Sequence, residues 1–122
     1  MTKEEMYEEL LKKCEKIYAG DEILNIKKAY EFASEKHKGR IRLDKTDYMT
    51  HPLGVALILL DLDVDSITIT AALIHETMNH AGATKEEIEE TFGSEVANIV
   101  DVISKLNRLE LTDDSEHAAL NL

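Results

Sequence analysis

The sequence predicts an all-α fold, on three observations. Apolar residues recur at helical spacing almost from end to end, only one proline interrupts the chain, and aromatic residues are just 5% of it. A strand-and-turn architecture needs more punctuation and more aromatic content than this. The 122 residues allow one domain and one hydrophobic core, so residues 1–122 form a single unit. A hydrophobic share of 43% beside a charged share of 32% suits a globular chain and is too apolar for disorder.

Each element has its own signal. Tyr7, Leu10, Leu11, Cys14, Ile17 and Tyr18 form the stripe of a first helix. After a break at Gly20-Asp21, Ile23, Ile26, Tyr30, Ala33 and His37 form a second, which Gly39 ends. The segment from Arg40 to Thr50 is polar and aperiodic, a loop. Pro52 suits the first turn of a third helix running to about Asp61, where its missing N–H costs nothing. Asp65 is positioned to cap a fourth, from Ser66 to about Asn79. These two are apolar nearly all round, the pattern of a buried hairpin. Thr84-Lys85-Glu86-Glu87 reads as a capping box opening a short helix that stops at Gly93. Ser94 caps the next, with Val96, Ile99, Val100, Ile103 and Leu106 on one face. A last helix starts near Thr112, its positive end met by Asp113, Asp114 and Glu116. The expectation is seven helices and no sheet.

A formal net charge of −11 repels nucleic acid backbones and anionic membranes, which disfavours partners of either class. A phosphate-bearing ligand needs a metal ion or local cations to offset that field. The longest apolar run, residues 53–60, is too short to span a bilayer, and the charged start Thr2-Lys3-Glu4-Glu5 is no signal peptide. Cys14 is the single cysteine, which excludes an internal disulfide and points to a reducing, cytoplasmic compartment.

Among the five histidines, His37 closes an apolar stripe and reads as a packed, hydrogen-bonded core residue; His117 reads as solvated. His51 stands at the mouth of one buried helix, and His75 lies deep in its partner, beside Glu76. Antiparallel packing of the hairpin brings the three to one end of the core. Two imidazoles and a carboxylate there suit Mn, Fe or Zn, with core histidines satisfied by backbone as the alternative. The run from His75 to His80 is HExxxH rather than HExxH. Its second histidine is turned roughly 140° from the first on a continuous helix, which argues against a zincin site.

Ala29-Tyr30-Glu31-Phe32-Ala33, His37-Lys38-Gly39 and Tyr48-Met49-Thr50-His51-Pro52-Leu53 resemble the start of the hydrolase domain of Rel/SpoT alarmone enzymes. The resemblance continues through Ala71-Ala72-Leu73-Ile74-His75, Glu86-Glu87-Ile88, Phe92-Gly93, Val100-Asp101 and Ser104-Lys105-Leu106, covering roughly residues 20–122. It implies an all-α HD-domain helical bundle, here truncated at its C-terminal end. The implied activity removes pyrophosphate from the 3′ position of guanosine tetra- or pentaphosphate with a bound Mn ion. It also implies a synthetase domain further along the native protein. By position, the metal ligands are His51, His75 and Glu76, the last standing where the family has aspartate. The extra methylene displaces that carboxylate by about 1.5 Å. A fourth ligand, an aspartate on a later helix, falls beyond Leu122.

The catalytic positions, adjacent Glu and Asp in the family, are Asn79 and His80 here, and a carboxamide accepts no proton at neutral pH. In the nucleotide loop Arg42 and Tyr48 match, and Lys105 matches further on, whereas residues 43–47 depart. Asp44 and Asp47 there oppose a pyrophosphate. The substitutions favour a degenerate HD domain with weak or no hydrolysis and a regulatory role. Two alternatives stand beside it: an active Mn-dependent hydrolase with His80 as base, and a sensor that binds ppGpp through Arg42 without hydrolysing it.

Overall fold

The computed structural model describes residues 1–41 and 45–112, with the backbone alone for 107–112. Its helices are α1 (Lys3–Glu15), α2 (Gly20–Lys36), α3 (Thr50–Leu60), α4 (Ser66–Ile74), α5 (Thr77–His80), α6 (Lys85–Phe92) and α7 (Ser94–Thr112). Among the described residues there is no strand, only an isolated antiparallel bridge between Ile41 and Asp47. The all-α expectation holds. None of these helices is long and apolar enough to cross a membrane.

Local chemistry accounts for the helix ends. Thr2 and Glu5 form a capping box: the Thr2 hydroxyl accepts from the Glu5 amide, and the Glu5 carboxylate accepts from the Thr2 amide. Asp65 caps α4 by accepting from the Thr68 amide, and Thr84 caps α6 by accepting from the Glu87 amide. Gly93 ends α6 at φ 95°, a left-handed angle that favours glycine. Three boundaries differ from expectation. Gly20 is the first residue of α2 rather than part of a break, and Ser94 is the first residue of α7 rather than its cap. α2 stops at Lys36, with His37 as its cap, before Gly39 is reached. α7 itself runs to Thr112, the expected start of a further helix; the rest of that helix and His117 lie outside the described residues.

The larger correction concerns the fourth helix, which breaks at His75-Glu76 into α4 and α5. At the break, side chains engage carbonyls of the last turn of α4. His75 Nδ1 lies 2.6 Å from the Ala72 carbonyl oxygen, and the Thr77 hydroxyl donates to the Ile74 carbonyl at 2.7 Å. His75 is therefore a helix end, not a residue deep within one.

The core centres on α4, which packs against α2, α3 and α7, while α1 covers α3 and touches α2. Every α4 residue from Ile69 to Ile74 is buried, as are Leu53 and Ala56 of α3, Ile26 and Ala29 of α2, and Val100 of α7. Each of the larger aliphatic side chains contributes ~1.5–3 kcal/mol through burial. The apolar hairpin of α3 and α4 thus sits where its composition requires. Asp47 ties the loop before α3 to the rest: one carboxylate oxygen accepts from the Met49 amide at 2.9 Å, and the other pairs with Lys3 at 3.0 Å.

Candidate metal centre

His51 occupies the first turn of α3, which begins with a tight turn in which the Thr50 amide and hydroxyl both donate to the Asp47 carbonyl. His75 and Glu76 occupy the joint between α4 and α5. The helix break and the hairpin together bring the three side chains to one spot, at the end of the core that the hairpin argument indicates. One nitrogen from each imidazole and one Glu76 oxygen all lie within 4.8 Å of one another. The His51 and His75 ring centroids are 6.0 Å apart, and His51 Nε2 is 3.7 Å from Glu76 Oε1. This is the sole such trio among the described residues.

The donor set fits a divalent transition ion. A carbonyl oxygen only accepts, so the contact between His75 Nδ1 and Ala72 places the proton on Nδ1. The Nε2 lone pair is then left to bind, an arrangement recurrent in metal-ligating histidines. Glu76 Oε1 is buried without a hydrogen-bond partner among the described residues, and native proteins seldom leave a carboxylate oxygen so unless an ion or water meets it. A first-row ion with bonds near 2.1 Å spans ligand atoms about 3–3.5 Å apart, so small side-chain rotations suffice. The His51 side chain is 40% exposed and Glu76 only 15%, which leaves the His51 side open to solvent.

The family's acidic positions are placed otherwise. The Asn79 carboxamide, on α5, faces Ser104 of α7: its Oδ1 accepts from the Ser104 hydroxyl at 2.7 Å, and its Nδ2 donates to the Ser104 carbonyl at 3.4 Å. His80 is exposed and lies outside the trio; its ring centroid is 6.5 Å from that of Tyr48. Lys105 pairs with Asp101 at 3.0 Å, as does Lys85 at 3.7 Å, and both cations hold the Asp101 carboxyl below its usual range. Arg42 and Asp44 lie outside the described residues. Asp47 is engaged by Lys3 and Met49 rather than turned toward a ligand.

Two features escaped the sequence reading. His37 is buried at 3% exposure and packed on Tyr48, with centroids 4.3 Å apart, but among the described residues neither ring nitrogen has a hydrogen-bond partner. It is packed, as expected, yet not hydrogen-bonded. Arg40 covers the Tyr48 ring at 5.2 Å. Ser104, the partner of Asn79, is the second omission. His37 and Ser104 both stand within segments that carry the family resemblance, which was the available signal.

His51 from the first turn of α3, with His75 and Glu76 from the joint between α4 and α5, makes a helical bundle that presents a candidate metal-ligand set. Residues 29–121 match the family model described as the HD domain, and the chain belongs to that family. It is 39% identical over 97 residues to the GTP pyrophosphokinase rsh of Brucella melitensis, covering 80% of this chain and 13% of that protein. It is 38% identical over 101 residues to the bifunctional (p)ppGpp synthase/hydrolase SpoT of Escherichia coli K12, covering 83% and 14%. The guanosine-3′,5′-bis(diphosphate) 3′-pyrophosphohydrolase of Escherichia coli O157:H7 matches at the same identity and extent. The chain thus spans about one-seventh of the length of these relatives, 13–14%. It is an HD domain resembling the (p)ppGpp hydrolase domain of Rel/SpoT proteins.

Proposed function

We propose that this domain holds one divalent ion, Mn by resemblance, on His51, His75 and Glu76. In this reading it hydrolyses guanosine tetra- or pentaphosphate weakly or not at all and serves a regulatory role. The observation that carries the reading is the engagement of Asn79 with Ser104. Release of 3′ pyrophosphate forms a bond from water oxygen to phosphorus and breaks the bond to the 3′ oxygen, which ends with a proton. A group must take the proton from water, and general-base help of this kind contributes on the order of 10²–10⁴ in rate. A carboxamide cannot act so, and His80 stands outside the ligand trio. The ion itself would supply Lewis-acid stabilisation of charge on phosphoryl oxygen.

Tyr48, Arg42 and Lys105 are the proposed substrate contacts. Tyr48 stacks on His37 and lies near His80, and Lys105 would reach a phosphate by giving up its ion pair with Asp101, whose side chain is only 12% exposed. A cytoplasmic location accords with the free thiol of Cys14. A synthetase domain elsewhere in the native protein accords with a regulatory role for this segment.

Cobalt or manganese titration together with a (p)ppGpp release assay tests the reading. We expect saturation at one ion per chain, lost in His75→Ala, with turnover on the order of 10²-fold or more below an acid-bearing relative. Turnover matching such a relative, and abolished by His75→Ala, would overturn it. Saturable ppGpp binding without turnover, lost in Arg42→Ala, would assign the regulatory role to sensing.

A further inference from the structure

Three of the buried polar atoms that have no hydrogen-bond partner among the described residues, both ring nitrogens of His37 and Glu76 Oε1, belong to side chains close enough for the Glu76 charge to act on the imidazole; Ser34 Oγ is the fourth such atom. A fully buried imidazole normally uses at least one nitrogen, so the coincidence calls for a common explanation. His37 caps α2, its amide donating to the Ala33 carbonyl, and α2 packs along α4, whose end carries His75 and Glu76. The Tyr48 ring lies over one face of the imidazole at a 21° interplanar angle, and Arg40 backs Tyr48. The stack fixes the plane of the ring and directs its two nitrogens edge-on. Burial pushes the His37 pKa down to about 4; among neighbouring charges Glu76 acts on it most, followed by Arg40, His80 and His75. The ring is therefore neutral at pH 7, with one N–H to donate and one lone pair.

We propose that His37 is a positioning residue for the metal centre: its ring N–H, through one bridging water, holds the Glu76 carboxylate toward His51 and His75. This rests on the metal-binding reading above. It also answers the problem that the glutamate raises. A side chain one methylene longer than aspartate has one more torsion to fix, and a hydrogen bond from behind fixes it. Groups that orient a ligand in this way govern metal affinity without touching the ion.

Cobalt titration followed by visible absorption, on wild type, His37→Phe, His37→Gln and His75→Ala, separates the possibilities. Phenylalanine keeps the stack on Tyr48 and removes the donor; glutamine keeps a donor. We expect His37→Phe to weaken cobalt binding roughly 10- to 100-fold and to shift the cobalt bands, while His37→Gln stays within a few-fold of wild type. Should His37→Phe fail to fold, judged by thermal melting, His37→Met takes its place as the variant without an N–H donor. Wild-type affinity and an unchanged spectrum in the donor-free variant would overturn the positioning role while leaving the metal reading intact. An equal loss in His37→Gln would overturn it too. No cobalt bound by wild type would overturn both.

Discussion

Burial holds the His37 imidazole at a pKa of about 4, against an ordinary 6.5, in a side chain only 3% exposed. The unfolded chain therefore binds a proton between these values that the folded one refuses. Its contribution to stability is complete above pH 6.5 and is lost as pH falls toward 4. The loss amounts to at most about 3–4 kcal/mol. Urea melts of the metal-free protein should show this fall across pH 6.5 to 4, and His37→Phe should flatten it; an unchanged slope in the variant would refute the assignment. The convergence of His51, His75 and Glu76 was legible in the sequence, because residue type and order mark a candidate ligand set. What faces the nitrogens of His37 was not. Spacing places that ring in the core, but its polar neighbours come from α4, α5 and the loop before α3, and only the packed chain brings these together.

At the scale of elements, the joint between α4 and α5 decides both the ligand set and the fate of position 79. Residues 66–79 carry no glycine or proline and read as one apolar helix. The break is invisible to periodicity; at it, the side chains of His75 and Thr77 reach back to carbonyls. The short α5 that results is pinned to α7 by the two bonds between Asn79 and Ser104. Asn79→Glu replaces a donor and an acceptor by two acceptors, one of which then faces the Ser104 carbonyl. We expect a stability loss of about 1–3 kcal/mol, read from the denaturation midpoint, because Ser104 is fully buried. We also expect the single substitution to leave hydrolysis unrestored, since the new carboxylate must first leave α7. A variant with full stability and high turnover would show that Asn79 is no clamp.

For the molecule as a whole, 25 acidic residues stand against 14 lysines and arginines. Self-repulsion of this excess opposes the compact state. Raising ionic strength from about 10 mM to about 150 mM shortens the screening length from about 30 to about 8 Å and should raise the melting temperature of the metal-free protein. A melting temperature that falls with salt would show that favourable pairs, such as Lys36 with Glu87, dominate instead. The fold class was legible because helical periodicity survives averaging over the chain, whereas exact helix ends depend on single hydrogen bonds. The link between Lys3 and Asp47 carries a practical consequence. It moors the amino terminus beside the turn that leads into His51, so Met1 and Thr50 border one shallow cleft. An oligohistidine tag fused at Met1 would bring a string of spare imidazoles to the doorstep of the proposed metal centre and compete for the ion being titrated. Preparations for metal work are best purified without one.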